Sequence, residues 1–231
     1  MKPKKKEKNG SEKPNYKKPN KPAPTISRRS NMADISKDLV KDLREKTGAG
    51  MGDCLKSLQE AEGNMEKAIE ILRKKGIASA DKRNTRTAKE GLVYAYIHGG
   101  GKVGTMVEVN CETDFVARTK EFEELCKEIA MQVAAMAPRY LKREEVPSEV
   151  VAKEKEIYKV QMADQKKPAN VIDKIIDGKL EKFYKDTCLM EQAYIKDDSK
   201  NVDILVKEAI GKIGENIVVK RFSRFVLGES I

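Results

Sequence analysis

The sequence predicts an α+β protein: a small three-helix module, then a core in which helices pack on a small antiparallel sheet. Two observations predict this class. Apolar residues recur at helical spacing over most of the chain, but their period changes to two shortly after residue 90. Charged residues make up 36% of the chain and aromatic residues 5%, with no tryptophan, which favours a helix-rich protein over a β-sandwich with an aromatic core.

The positive charge of the chain is concentrated at its beginning. The formal net charge is +10, but residues 1–31 hold nine Lys and two Arg against two Glu, together with five of the eight prolines. Such a segment is predicted to be disordered, and the nearly neutral remainder does not indicate a nucleic-acid-binding body. The tail could contact RNA weakly. We favour instead a solubilising extension, or sequence upstream of a start at Met32.

The composition also excludes several classes of protein. No run approaches 18 consecutive apolar residues, so we expect no membrane span. No apolar segment follows the first basic residues, so we expect no secretory signal. The chain is therefore expected to be cytoplasmic, without membrane or DNA partners.

The residues needed for common catalytic chemistry are scarce. His98 is the only histidine, and the cysteines lack the spacing of metal ligands, so we expect reduced, mostly buried thiols at Cys54, Cys111, Cys126 and Cys188. The glycine-rich segment 48–53 has Asp where a dinucleotide-binding loop needs its third glycine. Segment 98–103 has Val where a P-loop needs Ser or Thr. We expect no enzyme activity, no metal site and no cofactor.

The first part of the folded region reads as three short helices. Apolar residues at helical spacing predict them at about 35–47, 51–61 and 65–75, with Gly48 ending the first and Gly76 the third. Three helices in about 45 residues resemble the ubiquitin-associated (UBA) fold.

The second part alternates strands and helices. Residues 92–98 and 103–111 predict a hairpin joined by three glycines, and Ile217–Leu227 predicts a third strand. Helices are expected at Lys120–Met136, about Val150–Met162, Val171–Ile176, Leu180–Leu189 and Val202–Ile213. The expected division is a disordered tail at 1–31, a UBA-like module at 32–76, a linker at 77–90 and a core and dimerisation domain at 91–231.

A loop with candidate functional residues directly follows the second strand of the hairpin. Loops that leave a strand end and enter a helix often present binding side chains. Thr113 or Asp114 could instead cap the next helix, and Phe115 and Val116 could be ordinary core residues. Residue types alone favour this capping-and-core interpretation.

Two segments resemble signature patterns of the translation elongation factor Ts family. They are LREKTGAGMGDC at 43–54 and EVNCETDFVAR at 108–118. Family-like residues also occur at 144–147, 182–184 and 213–222. The similarity covers essentially all of 32–231 in the family's order, and the length resembles members with a single core lobe.

This resemblance implies a guanine-nucleotide exchange factor that binds elongation factor Tu in its GDP-bound and nucleotide-free states. Thr113, Asp114, Phe115 and Val116 then correspond to the loop that enters the partner's nucleotide-binding domain and dislodges its Mg²⁺. No covalent chemistry is implied.

The resemblance also implies a second contact through the helical module. The matching residues are Arg44 and Met51, with Leu43 and Thr47 alongside. Family members often carry methionine at the position of Gly52 and lysine at that of Leu55. We expect Leu55 to have joined the module's core.

Short family members pair through their single lobe, which favours a homodimer with Ile217–Leu227 as the candidate interface. The alternative is a monomer in which this strand is central in the sheet. Two other functions stay open at this point. One is an RNA- or ribosome-associated protein that binds through its basic tail, and the other is a UBA-type adaptor for ubiquitin-like partners.

Overall fold

The computed structural model describes residues 35–162 and 168–229, which form an α+β fold. The basic tail predicted at 1–31 lies outside the described residues. None of the helices in the described ranges is long and apolar enough to cross a membrane.

Helices account for most of the described residues. Several begin at a side chain that accepts a backbone hydrogen bond, as N-cap residues do. The helices are α1 (Lys37–Thr47), α2 (Met51–Glu60), α3 (Met65–Arg83), α4 (Asp114–Ala117), α5 (Lys120–Met136), α6 (Ser148–Met162), α7 (Ala169–Thr187) and α8 (Val202–Ile213). The strands are β1 (Glu90–His98), β2 (Val103–Cys111), β3 (Ala193–Tyr194), β4 (Asp197–Asn201) and β5 (Val218–Val226).

The predicted hairpin and third strand form one antiparallel sheet in the order β1-β2-β5. The pairing of β1 with β2 runs from Glu90 opposite Cys111 to His98 opposite Val103. The alignment of β2 with β5 shifts at a bulge between Glu108 and Val109. Within the described residues the third strand is therefore an edge strand, so the alternative that placed it at the centre of the sheet is wrong.

Among the described residues, one face of the sheet is covered and the other is open. Val107 and Val109 of β2 are fully buried together with Phe122 and Ile129 of α5, in an apolar cluster that also includes residues of α8. The hydroxyl of Thr105, also buried, donates to the carbonyl of Ala130 at 3.0 Å. This packing fixes the end of β2, from which the candidate loop emerges.

The third helix is longer than predicted. Its expected end at Gly76 is wrong, because α3 continues to Arg83 and six residues, 84–89, connect it to β1. Gly76 lies inside α3, where it faces Gly211 of α8 at close backbone approach. Beyond it, Ala80 is buried in the main core. These contacts stabilise the helix beyond Gly76, where a glycine would otherwise be expected to end it.

The seventh helix is also continuous where two helices were expected. Gly178 costs about 1 kcal/mol of helix propensity relative to alanine. Ile176, Leu180 and Phe183 are nevertheless buried along one face of α7, so packing carries the helix through this glycine. The short hairpin of β3 and β4 was not predicted at all.

Candidate functional site

A one-turn helix, α4, directly follows β2 and holds the loop predicted from the sequence. The backbone of Thr113 is extended, and its hydroxyl oxygen accepts a hydrogen bond from the amide of Val116 at 3.4 Å. Thr113 therefore caps α4, whereas α5 has its own N-cap at Thr119. Capping by Thr113 was correctly considered, but for the wrong helix, because the four-residue α4 was not predicted.

The side chains of α4 divide between solvent and core. Phe115 is 79% exposed, whereas Val116 is half-buried against the main apolar cluster and Ala117 is buried. The core interpretation is thus correct for Val116 and wrong for Phe115. Among the large apolar side chains of the described residues Phe115 is the most exposed, so its phenyl ring is available for contact with a partner.

Asp114 lies on the exposed side of the same turn. Its carboxylate accepts a hydrogen bond from the guanidinium of Arg118 at 2.8 Å, one helical turn further on. Both side chains reach solvent, and such exposed pairs contribute little to stability. Asp114 is therefore accessible to a partner at small cost.

A carboxylate near the C-terminal end of the chain holds the start of the loop. One oxygen of Glu215 accepts hydrogen bonds from the amides of Glu112 and Thr113, at 3.1 and 3.0 Å. The other accepts from the hydroxyl of Thr113 at 2.7 Å. Sequence reasoning missed this contact, because the residues involved are 102 and 103 positions apart.

A second set of hydrogen bonds ties the same segments together in the reverse direction. The carboxylate of Glu112 accepts from the amide of Asn216 at 2.6 Å. The buried side-chain amide of Asn216 donates to the carbonyl of Arg86 at 2.7 Å, just beyond the end of α3. The loop, the connection before β5 and the end of α3 are thus joined at one place.

The thiol nearest the loop is poorly suited to nucleophilic chemistry. Burial, assisted by the negative charge of Glu215, raises the pKa of Cys111 to about 11. Burial likewise raises the pKa of Cys126 to about 12. Both thiols stay protonated near neutral pH, and a protonated thiol is a weak nucleophile. The expected burial of the four cysteines is confirmed.

The first two helices present a second exposed surface. Arg44 on α1 and Met51 at the start of α2 both reach solvent, and Met51 is 44% exposed. Gly48, in a left-handed conformation at φ 69°, forms the turn between their helices. Leu43 is fully buried, so it supports this surface from within and is not part of it.

The two positions that depart from the family pattern are both on the surface. The expectation that Leu55 joins the module's core is wrong, because its side chain is 38% exposed. Cys54 and Leu58 occupy the buried face of α2 and leave Leu55 beside it. Gly52 is exposed, and a Cβ at this position would meet no described atom within 4 Å other than its chain neighbours and the backbone of its own helix.

A cleft in the described part of the chain lies away from the turn formed by α4. Its volume is about 710 Å³, and residues of α3, α5 and α8 line it, including the ion pair of Arg73 with Glu208 at 2.6 Å. Residues 113–116 take no part in its lining. The candidate site is instead an exposed turn on the surface of the protein.

Comparison with known proteins agrees with the signature segments. Residues 26–229 match the model of the family described as elongation factor TS. The chain is 60% identical over 200 residues to elongation factor Ts of Anaeromyxobacter dehalogenans strain 2CP-1, covering 87% of this chain and 91% of that protein. It is 60% identical over 197 residues to elongation factor Ts of Caldanaerobacter subterraneus subsp. tengcongensis, covering 85% and 98%. For elongation factor Ts of Thermotoga sp. strain RQ2 the identity is 59% over 196 residues, covering 85% and 98%.

Proposed function

Since the chain belongs to the elongation factor Ts family, we propose that it is a guanine-nucleotide exchange factor for elongation factor Tu. It binds the partner in the cytoplasm and promotes GDP release by inserting residues 113–116 into the partner's nucleotide-binding domain. It makes and breaks no covalent bond. The observation that carries this proposal is Phe115, which is 79% exposed on a turn anchored at both ends.

The proposed target of insertion is the surroundings of the partner's Mg²⁺. This ion requires nearly octahedral ligands at about 2.0–2.1 Å, so a small displacement of the partner's backbone weakens its binding. Bound Mg²⁺ compensates the charge of the nucleotide phosphates. In this proposal Phe115 provides the displacement, and Asp114 adds a negative charge or hydrogen-bond acceptor beside it.

The size of the effect is sufficient for exchange. Burial of one phenylalanine side chain contributes roughly 1.5–3 kcal/mol. If the phenyl ring is buried only in the distorted state of the partner, about 3 kcal/mol weakens nucleotide binding more than a hundredfold. Coupling between two ligands is reciprocal, so GDP weakens binding of this protein by the same factor. The reciprocity allows the factor to dissociate and act again.

The anchoring of α4 supports this mechanism. A loop that orders only on binding loses part of the interaction energy to conformational entropy. Here Thr113 is already hydrogen-bonded to Glu215 and caps α4, and Val116 already packs on the core. Most of the ordering therefore precedes the encounter.

We also propose that the helical module binds the partner at a second place, through Arg44 and Met51. Both side chains are exposed, and methionine and arginine are residue types that are enriched at protein interfaces. In this proposal residues 32–76 form a UBA-like module and 91–231 the core domain. Because α3 extends to Arg83, the segment 77–90 proposed as a linker is helical in its first half.

A homodimer through the third strand is the remaining proposal for a partner. In β5, Phe225 is 59% exposed, and Val93, Ile97 and Met106 add exposed apolar side chains from β1 and β2. They alternate along the strands with the residues that face α5, so they share the open face of the sheet. A second copy would cover this face and the unpaired edge of β5.

The proposed exchange activity is tested by stopped-flow release of fluorescent GDP from elongation factor Tu. The wild-type protein is expected to accelerate release strongly, and Phe115→Ala to reduce the acceleration at least tenfold. Val160→Ala is the control, because it shortens another exposed apolar side chain, 67% exposed, on α6. It is expected to behave as wild type.

Each outcome has a separate meaning. If the wild-type protein fails to accelerate GDP release, the proposed function is wrong. If it accelerates release and Phe115→Ala does so equally, the function stands and insertion of Phe115 is wrong.

A further inference from the structure

Glu215 lies between the end of α8 and the start of β5, outside both surfaces that the family resemblance assigns to the partner. Gly214 ends α8 in a left-handed conformation at φ 90° and turns the chain towards the candidate loop. The two carboxylate oxygens of Glu215 then accept three hydrogen bonds, from two backbone amides and one hydroxyl at 112–113. Its side chain is half-buried.

We propose that Glu215 is the positioning residue that holds the exchange loop in its inserting conformation, acting through Thr113. This inference rests on the proposed exchange function. Glu215 does not need to contact the partner. Its effect is transmitted because one hydroxyl connects two hydrogen bonds: Thr113 donates to Glu215 and accepts from the amide of Val116.

The two hydrogen bonds of the Thr113 hydroxyl explain how the orientation of Phe115 is determined. The first amides of a helix have no partner within it, and α4 is too short to be stable on its own. Its stability therefore depends on the cap at Thr113 together with the packing of Val116 and Ala117 on the core. The rotamer of Thr113 that caps α4 is the one in which its hydroxyl reaches Glu215. Without the carboxylate, Thr113 is free to rotate towards water, and the direction of Phe115 is no longer fixed.

The reverse hydrogen bonds make the arrangement reciprocal. While Glu215 accepts from the amides at 112–113, Glu112 accepts from the amide of Asn216 at 2.6 Å. Asn216 in turn holds the carbonyl of Arg86 at the end of α3. The half-buried carboxylate of Glu215 accepts three hydrogen bonds, and its neighbour Asn216 is held by Glu112. Glu215 therefore has little freedom to move with the loop. The hydrogen bonds to Glu215 thus determine the position of the loop.

The test measures GDP release from elongation factor Tu at saturating protein, with Glu215→Ala and Glu215→Gln. Misplacement by about 1 Å of a group that must fit a distorted state can cost on the order of a hundredfold in rate. We expect Glu215→Ala to slow release about tenfold to a hundredfold. Glu215→Gln keeps the shape and one acceptor oxygen, and we expect it to restore part of the rate. Circular dichroism melting confirms that each variant is folded at the assay temperature.

A double-mutant cycle with Phe115→Ala separates positioning from a general loss of stability. If Glu215 acts by aiming Phe115, adding Glu215→Ala to Phe115→Ala slows release little further. The matched control is Glu191→Ala, which removes another carboxylate held by hydrogen bonds, to Arg143, away from the loop. This control is expected to leave the rate of release within twofold of wild type.

The outcomes distinguish this inference from the function on which it rests. Wild-type acceleration with Glu215→Ala within twofold overturns the role of Glu215 and leaves the proposed function intact. Additive effects of Glu215→Ala and Phe115→Ala also overturn it. An inactive wild-type protein overturns both. If Glu215→Ala does not fold, Glu215→Gln provides the test. A release rate within twofold of wild type would show that neither the charge nor the second acceptor is needed, and it would overturn the role of Glu215. A slower rate in the folded variant supports that role.

Discussion

Gly211 of α8 packs directly against Gly76 of α3, so closely that a Cβ on Gly211 would lie 2.7 Å from the Cα of Gly76. The two helices cross at backbone contact. Ion pairs flank the crossing, from Arg73 to Glu208 at 2.6 Å and from Lys207 to Asp81 at 3.0 Å. The helical module is thereby joined to the core through a packed interface as well as through the chain.

Gly211→Ala is expected to destabilise the protein. The new methyl group meets backbone atoms that cannot rotate away, and overpacking of this kind costs about 1–3 kcal/mol. Thermal unfolding followed by circular dichroism measures the loss as a lower Tm. Gly178→Ala is the control, since it lies inside α7 and the added Cβ would meet no described atom within 4 Å other than its chain neighbours and the backbone of its own helix. It is expected to raise stability by up to about 1 kcal/mol. An unchanged Tm for Gly211→Ala would contradict the close packing.

Arg44→Ala and Met51→Ala are expected to weaken binding to elongation factor Tu without lowering the maximal rate of GDP release. Both side chains lie on the module and not on the inserting loop, so they contribute affinity alike in the ground and distorted states. Titration of the release rate separates the half-saturating concentration, expected to rise about tenfold, from the plateau. Lys67→Ala, another exposed cation of the module, serves as the control. A lower plateau would contradict this division of roles.

If the protein forms the proposed homodimer, Phe225→Glu is expected to convert it to a monomer. A charge placed on the open face of the sheet would have to be buried between two copies, which costs several kcal/mol. Sedimentation velocity measures the change directly. Phe115→Glu carries the same substitution at a more exposed phenylalanine and is expected to leave the dimer intact. A monomeric wild-type protein would refute the dimer itself.

Stability is expected to fall at alkaline pH through the buried thiols. Burial raises the pKa of Cys126 from 9.0 to about 12 in the folded protein, so the thiol stays protonated there while it ionises in the unfolded chain. The contribution of this thiol to the free energy of unfolding is complete below about pH 9 and is lost as the pH rises towards 12. Urea unfolding at pH 8 and pH 10.5 measures the effect. Cys126→Ala is expected to lose less stability than wild type between these two values, and an equal loss would contradict the assignment.

The sequence predicts well the elements that have one continuous buried face. The helix Lys120–Met136 and the strands of the sheet were predicted at or near their observed bounds, because their apolar periods are long and regular. The ends that depend on distant contacts were missed. Gly76 was read as a helix end because its neighbour Gly211 is 135 positions away in sequence.

The candidate site shows the same limit on a smaller scale. Phe115 was identified through the family resemblance, while residue type alone favoured a buried position. A helix of four residues, such as α4, is too short to produce a period. The carboxylate that holds it is supplied by Glu215, about a hundred residues later. Local patterns contain no signal for such a contact.

The unbroken course of α3 has a consequence for the proposed two-site contact. Once Arg44 and Met51 are bound, insertion of the loop becomes an intramolecular event, and its effective concentration depends on how freely the two surfaces move apart. A flexible tether spreads the second surface over many positions. Because α3 packs against α8, the inserting loop is held near one position relative to the module. Binding of the module therefore raises the local concentration of Phe115 at a single place on the partner.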